Sequence, residues 1–211
     1  MGEILLPAIY DTLVMVFFST LFAVILGSIL GIILVLTSPK GLKENKLVYQ
    51  ILDTIINVLR SFPFIILMVV IIPLTKAIVG RSTGTEAAIV PLTVAAAPFV
   101  ARIIESSLKE VDEGVIEAAK SFGASNTQIV FKVMIKEAVP SIISGLTLTV
   151  INIIGYSAMA GSIGGGGLGD VAIRYGYQRY ETEIMIVTVI LLIIIVQALQ
   201  SLGNHLYKKL S

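Results

Sequence analysis

The sequence contains no cysteine and a single histidine, and only 14% of its 211 residues are Asp, Glu, Lys or Arg. Without cysteine there is no disulfide framework, no thiolate metal site and no thiol nucleophile. The apolar stretches hold no Ser/His pair, no paired aspartates and no zinc-ligand spacing, which leaves no constellation for an intramembrane enzyme. Positive and negative charges are nearly balanced, at net +1, whereas a nucleic-acid binder needs a concentrated basic surface. The lone His205 lies in the polar C-terminal stretch and reads as a surface residue.

In place of charge there is apolar surface. Hydrophobic residues make up 56% of the chain, against about 45–50% apolar and about 25% charged in an ordinary soluble domain. Several charge-poor stretches reach the roughly 20 residues that cross about 30 Å of hydrocarbon as a helix. The chain therefore reads as an all-α integral membrane protein, one transmembrane domain over residues 1–211. Met1 to Tyr10 lacks the positive n-region and small-residue cleavage site of a signal peptide, so the first apolar helix is expected to be retained.

Five spans are expected, at about 12–36, 47–74, 86–104, 138–159 and 183–203. The first stops at Thr37-Ser38-Pro39-Lys40-Gly41 and carries Ala23, Gly27 and Gly31 at every fourth position, a small-residue stripe that lets helices approach closely in lipid. The second contains Pro63 and is expected to kink there. A linker rich in Gly, Ser and Thr covers 75–85, and Pro91 and Pro98 fall in the third span. Residues 105–137 mix charges of both signs with helix formers and read as a membrane-external segment. Lys40, Lys43, Lys46, Arg102, Lys109, Lys120, Lys132, Lys136, Lys208 and Lys209 fall on one side of this layout, and Lys76, Arg81, Arg174 and Arg179 on the other. That ten-to-four excess predicts the N-terminus outside, and both the C-terminus and the 105–137 segment in the cytoplasm.

Within that segment, Glu117-Ala118-Ala119-Lys120-Ser121-Phe122-Gly123 reads as a helix ended by a glycine that can turn left-handed. Ser125-Asn126-Thr127-Gln128 then fits a capping box, with Ser125 as N-cap. Two short helices joined at Gly123, Ala124 and Ser125 would form a knuckle. It reads either as a solvated amphipathic loop or as a piece shaped to enter a cleft on another protein.

Other polar positions also carry more than one reading. Asp53 and Arg60, seven apart in the second span, form a candidate intramembrane charge pair; a structural ion pair, a snorkelling Arg or a contact to the external segment stands ahead of a substrate role. Asn152, Tyr156, Ser157 and Met159 are candidates for lining a translocation path, with core packing the alternative for Met159. Glu105 and Lys109, four apart, are expected to form an exposed pair. Gly164, Gly166 and Gly169 match G-x-G-x-x-G, yet no strand precedes them and no Lys-Ser/Thr follows, so neither a dinucleotide site nor a P-loop is expected. They read as a close-packed external turn at a pore mouth or as an ordinary re-entrant turn. ATP hydrolysis, if used, must come from another subunit.

The Glu117-Ala118-Ala119 run, three residues and then Gly123, followed by an apolar helix leading to Pro140, resembles the coupling motif of ABC-type importer permeases. Ile135-Lys136 stands where that pattern has a Leu-Pro pair. Arg60-Ser61-Phe62-Pro63-Phe64-Ile65-Ile66, Ala88-Ile89-Val90-Pro91-Leu92-Thr93, Ala97-Pro98-Phe99 with Ala101-Arg102, Gly155-Tyr156-Ser157-Ala158-Met159, Gly165-Gly166-Gly167-Leu168-Gly169 and Tyr175-Gly176-Tyr177 look like the methionine importer permeases, of the type I importer class. The resemblance implies a pair of such permeases in the cell membrane with two cytoplasmic ATPase subunits, fed by an external substrate-binding lipoprotein and importing L- and D-methionine. It implies that Glu117, Ala118, Ala119, Lys120, Gly123, Ala124 and Ser125 dock on the ATPase, and that this chain binds no cofactor, ATP and Mg belonging to the ATPase. A permease of the same build for another amino acid or small osmolyte remains open, as does a passive channel or secondary transporter, although no inverted repeat or mid-membrane ionisable pair is evident.

Overall fold

In lipid every backbone polar group must be satisfied within the protein, so uncharged apolar runs become long helices. The computed structural model describes residues 2–210, and no strand occurs among them. α1 (Gly2–Thr37) is followed by α2 (Lys46–Ser61), α3 (Phe64–Val70), α4 (Ile72–Val79) and α5 (Thr85–Lys109). The short α6 (Glu113–Ser121) precedes α7 (Asn126–Gln128), which runs through a π-helical stretch, Ile129–Met134, into α8 (Ile135–Gly161). α9 (Gly167–Val171) passes into a second π-helical stretch, Ala172–Tyr177, and α10 (Thr182–Leu210) follows. Among the described residues α1, α5, the continuous helix Asn126–Gly161 and α10 are each long and apolar enough to cross a membrane, and the bent α2–α3 pair makes up to five spans.

Several boundaries depart from the sequence expectation. α1 begins at Gly2 rather than Thr12, because Leu5 and Ala8 are buried against Leu168, Val171 and Ile184 and this packing carries the helix through Pro7 and Asp11. The expected kinked helix over 47–74 is broken outright: Phe62 is extended (φ −72°, ψ 128°), the conformation favoured before a proline, and α2 meets α3 at 107°. α4 occupies part of the expected 75–85 linker and is closed by Gly80. The expected 105–137 segment shares its ends with long helices, since α5 continues to Lys109 and the next long helix starts at Asn126.

The wall of the bundle is the contact of α1 with α5. Met15, Ser19 and Ala23 are fully buried along one stripe of α1. Gly27 and Gly31 extend that stripe, and there the two backbones come so close that no side chain fits. A Cβ at Gly27 would stand 2.5 Å from the Val100 Cβ and 2.6 Å from the Ala97 carbonyl oxygen, and one at Gly31 would stand 2.7 Å from the Ala101 carbonyl oxygen. α8 packs on α5 with Gly145 under Ile103, and α10 packs on α8 with Gly203 under Thr147. Small residues thus set each helix spacing, as expected where lipid supplies no hydrophobic drive between helices.

Gly27→Val should destabilise the protein by about 1–3 kcal/mol through overpacking. Its midpoint in a thermal melt in detergent should fall, while Gly155→Ala, whose added Cβ would meet no other part of the bundle within 4 Å, should melt no lower than the native chain.

Candidate functional site

The knuckle forms because each of its backbone ends has a local partner. Asp112 caps α6 by accepting from the Gly114 N–H at 2.8 Å. At the other end the Gly123 N–H donates to the Lys120 carbonyl (2.9 Å) and the Ala124 N–H to the Ala119 carbonyl (3.1 Å), the paired bonds of a Schellman ending. This ending needs a left-handed residue, and Gly123 supplies it at φ 77°. Ser125 and Gln128 then close the reciprocal capping box, at 2.8 and 3.3 Å.

The tip is exposed and the base is not. Phe122, a residue the motif reading passed over, is 92% exposed, and Glu117, Ala118, Lys120 and Ser125 face solvent beside it while Ala119 and Ala124 are half-buried. Beneath them Ile129, Val130 and Met134 are buried with Leu108, and Ile116, Ala119 and Ala124 pack onto that cluster. Asn126 Nδ2 donates to the Leu42 carbonyl at 3.0 Å, tying the knuckle to the turn between α1 and α2. A groove of about 460 Å³ separates that turn from α6, lined among others by Lys40, Glu117 and Lys120. Where Ile135-Lys136 departs from the Leu-Pro pattern, the chain passes into α8 without interruption through the π-helical stretch.

The charged residues of α2 and α5 pair differently from the sequence expectation. Asp53 does not pair with Arg60, because seven residues of helix separate them by about 10 Å of rise. Its partner is Arg102, which reaches across from α5 to its carboxylate and donates to Asn57 Oδ1 at 2.8 Å. Nor is Glu105 exposed: at 5% exposure it accepts from Arg102 (2.6 Å), Lys109 (2.7 Å) and the Tyr49 hydroxyl (3.1 Å). Three donors compensate the burial of this carboxylate, which would otherwise be costly. Arg60 instead lies over the Phe99 ring, 5.0 Å from its centroid.

Tyr49, Arg60, Phe99, Arg102, Glu105 and Lys109 line a cleft of about 530 Å³ between α2, α5 and α8, which also receives Thr149 and Asn152. Of the four path candidates, Asn152 therefore opens into the cleft. Tyr156 stacks on Phe64 just beyond the chain break at Pro63, with centroids 4.8 Å apart and planes at 12°. Met159 is 44% exposed; seven residues from Asn152, it returns to the same helix face. Ser157 is only 2% exposed and donates to the Ile154 carbonyl at 2.8 Å, so it does not line the cleft.

At the opposite end of the bundle the glycines serve contact. A Cβ at Gly169 would lie 2.3 Å from the Ala158 carbonyl oxygen, and one at Gly161 would lie 2.3 Å from the Asp170 nitrogen. The α8–α9 turn is held by the Leu168 N–H donating to Thr12 Oγ1 (2.8 Å) and by the Gly84 N–H donating to the Gly164 carbonyl (2.8 Å). Within the loop the Gly164, Gly165 and Leu168 N–H groups are committed to the Gly161 carbonyl, the Ala160 carbonyl and Thr12 Oγ1, so the G-x-G-x-x-G spacing makes no phosphate cradle. Among the described residues no group of three or more His, Cys, Asp or Glu side chains could hold a metal ion.

Residues 23–211 match the family of binding-protein-dependent transport system inner membrane components. A probable D-methionine transport system permease protein, MetI, of Vibrio cholerae is 51% identical over 99% of this chain and 92% of its own length. The methionine import system permease protein MetP of Bacillus subtilis is 46% identical over 82% of this chain and 78% of its own. A solved structure of inward-facing conformations of the MetNI methionine ABC transporter superposes with a TM-score of 0.98 at 42% identity, covering 100% of this chain and 98% of that one. An amino acid ABC transporter solved with histidines shares the fold, at TM-score 0.82 and 20% identity over 99% of this chain and 94% of that one.

Removing Glu105 should expose the dependence of the cleft on its charge balance. Glu105→Ala leaves Lys109 without its carboxylate and Arg102 with Asp53 alone, and should cost about 1–3 kcal/mol, read as a lower melting midpoint. Glu117→Ala, at an exposed position, should change stability by no more than about 0.5 kcal/mol and so leave the midpoint near native.

Proposed function

The chain belongs to the family of binding-protein-dependent transport system inner membrane components, and from that premise we propose that it is the membrane-spanning subunit of an ATP-driven importer that carries methionine into the cell. As a multi-pass inner-membrane protein it forms the passage, and a separate ATPase subunit hydrolyses ATP with its Mg²⁺. Two copies of the chain enclose the path, two ATPases attach on the cytoplasmic side, and an external substrate-binding lipoprotein delivers cargo. The N-terminus lies outside and the C-terminus inside, in keeping with the loop excess of Lys and Arg.

The observation that carries this reading is the knuckle. A large apolar residue, Phe122, stands almost fully exposed at the tip, where water contact has no compensating role in the chain's own fold. Its base is buried in the core with Leu108 of α5, and Asn126 hydrogen-bonds the α1–α2 turn. Such a piece transmits force: closure of an ATPase around Glu117, Ala118, Ala119, Lys120, Gly123, Ala124 and Ser125 displaces the start of α8 and, through Asn126 and Leu42, the α1–α2 turn. Tilting α8 moves Asn152, Tyr156 and Met159 together, since they share one helix. The methionine assignment is supported by the names of the relatives and by their coverage of most of the chain.

Uptake of radiolabelled methionine into proteoliposomes holding this chain, its ATPase and its binding protein should require ATP. Phe122→Ser and Glu117→Lys should each lower uptake at least tenfold without lowering the melting midpoint of the permease. ATP-independent flux would overturn the importer reading, and ATP-driven uptake of a different solute alone would overturn the cargo.

A further inference from the structure

The reassignment of Asp53 leaves one cation in the cleft without an acid. Arg102 and Lys109 share Glu105, and Arg102 also holds Asp53. Arg60 has no carboxylate in ion-pair contact among the described residues, and its guanidinium rests on the Phe99 ring. Arg60 is exposed in the single chain, and its contact lies near the middle of α5 rather than at the helix end. Phe99 lies ten residues before Lys109, the end of α5, or about 15 Å of helix. A cation at such depth calls for a counter-charge or a water-filled cavity, and the cleft of about 530 Å³ that Arg60 lines is roomy enough for a small solute.

Its chemistry narrows what that solute offers. The contact with the Phe99 ring uses none of the guanidinium N–H donors in a hydrogen bond, and those donors match the two oxygens of a carboxylate. Across the same cleft Asn152 is exposed, makes no hydrogen bond among the described residues, and carries a carbonyl oxygen suited to an ammonium group. A cationic donor and a neutral acceptor lining one cavity suit a zwitterion, and Arg60 supplies the cationic half.

We propose that Arg60, held against the Phe99 ring, binds the carboxylate of the transported amino acid inside the membrane cleft and makes the passage selective for solutes that carry one. This rests on the proposed function. A single, partly open arginine–carboxylate contact holds cargo weakly, as a passage must if it is to release it. Arg60 then selects at the chemical group common to amino acids, while the side chain of the cargo is left to the external binding protein.

The test uses the intact complex with its ATPase in neutral-lipid nanodiscs, without the binding protein, and compares methionine with methioninamide, which lacks the carboxylate. The native complex should bind methionine at least tenfold more tightly than the amide by saturation-transfer NMR. Arg60→Gln should erase that preference, and Arg60→Lys, which keeps the charge but loses the planar fork, should recover part of it. The change from native to Arg60→Gln isolates the cleft from any other methionine site on the complex. An unchanged preference in Arg60→Gln overturns the inference, as does an equal loss of both ligands, which marks a structural role, or the absence of any carboxylate preference in the native complex. Failure of the native complex to take up methionine in the ATP-dependent assay brings down the cargo reading and this inference together. Native uptake with an unchanged Arg60→Gln preference brings down the inference alone.

Discussion

Everything else in the molecule is referred to the close approach of α1 and α5. Helices surrounded by lipid gain no hydrophobic free energy by meeting, so they associate only where their backbones come near enough for dense van der Waals contact. Gly27 and Gly31 provide that approach, and the Val100 and Ile104 side chains occupy the volume a larger residue would need. This contact gives α5 its position, and α5 in turn carries Arg102, Glu105 and Phe99, against which α2 and α8 are arranged.

The charged residues follow from that placement. A carboxylate at the end of a membrane helix is tolerable when several donors converge on it, and Glu105 gathers three from two helices. Arg102 bridges this carboxylate to Asp53 on α2, so the one network joins α2 to α5 as well as neutralising its own members. The break at Pro63 sits one turn beyond Arg60. It turns α3 away from α2 and lets Phe64 stack on Tyr156 of α8, so that three helices border one cleft.

The two ends of the bundle differ in kind. At the glycine-rich end, backbone lies on backbone and loop amides are satisfied by Thr12, Ala160 and Gly161, giving a tight cap over α1, α5 and α8. At the other end a short helix stands out from the bundle with its apolar tip uncovered, and its root is packed into the same core that holds α5 and α8. Under the proposed function this asymmetry divides the labour: a closed cap where cargo is delivered, and a lever where ATP energy enters.

By itself the sequence determined what local chemistry determines. Charge-free runs of sufficient length dictated membrane helices, Gly123 and the Ser125–Gln128 pair dictated the knuckle, and the four-residue repeat of Ala23, Gly27 and Gly31 marked a packing stripe. Each rests on residues within a turn or two of one another. The tertiary structure alone decided the rest, because it depends on what lies opposite. Asp53 and Arg60 share a helix face but are too far apart to meet, and only the arrival of α5 assigned Asp53 to Arg102 and Arg60 to Phe99. Glu105 reads as exposed until Tyr49 is brought from α2 to cover it. Ser157 reads as pore-lining until α8 is seen to turn it inward, and α1 reads as starting at Thr12 until Leu168 and Ile184 bury the turns before it. Periodicity specifies which residues share a face, but not which face another helix will cover.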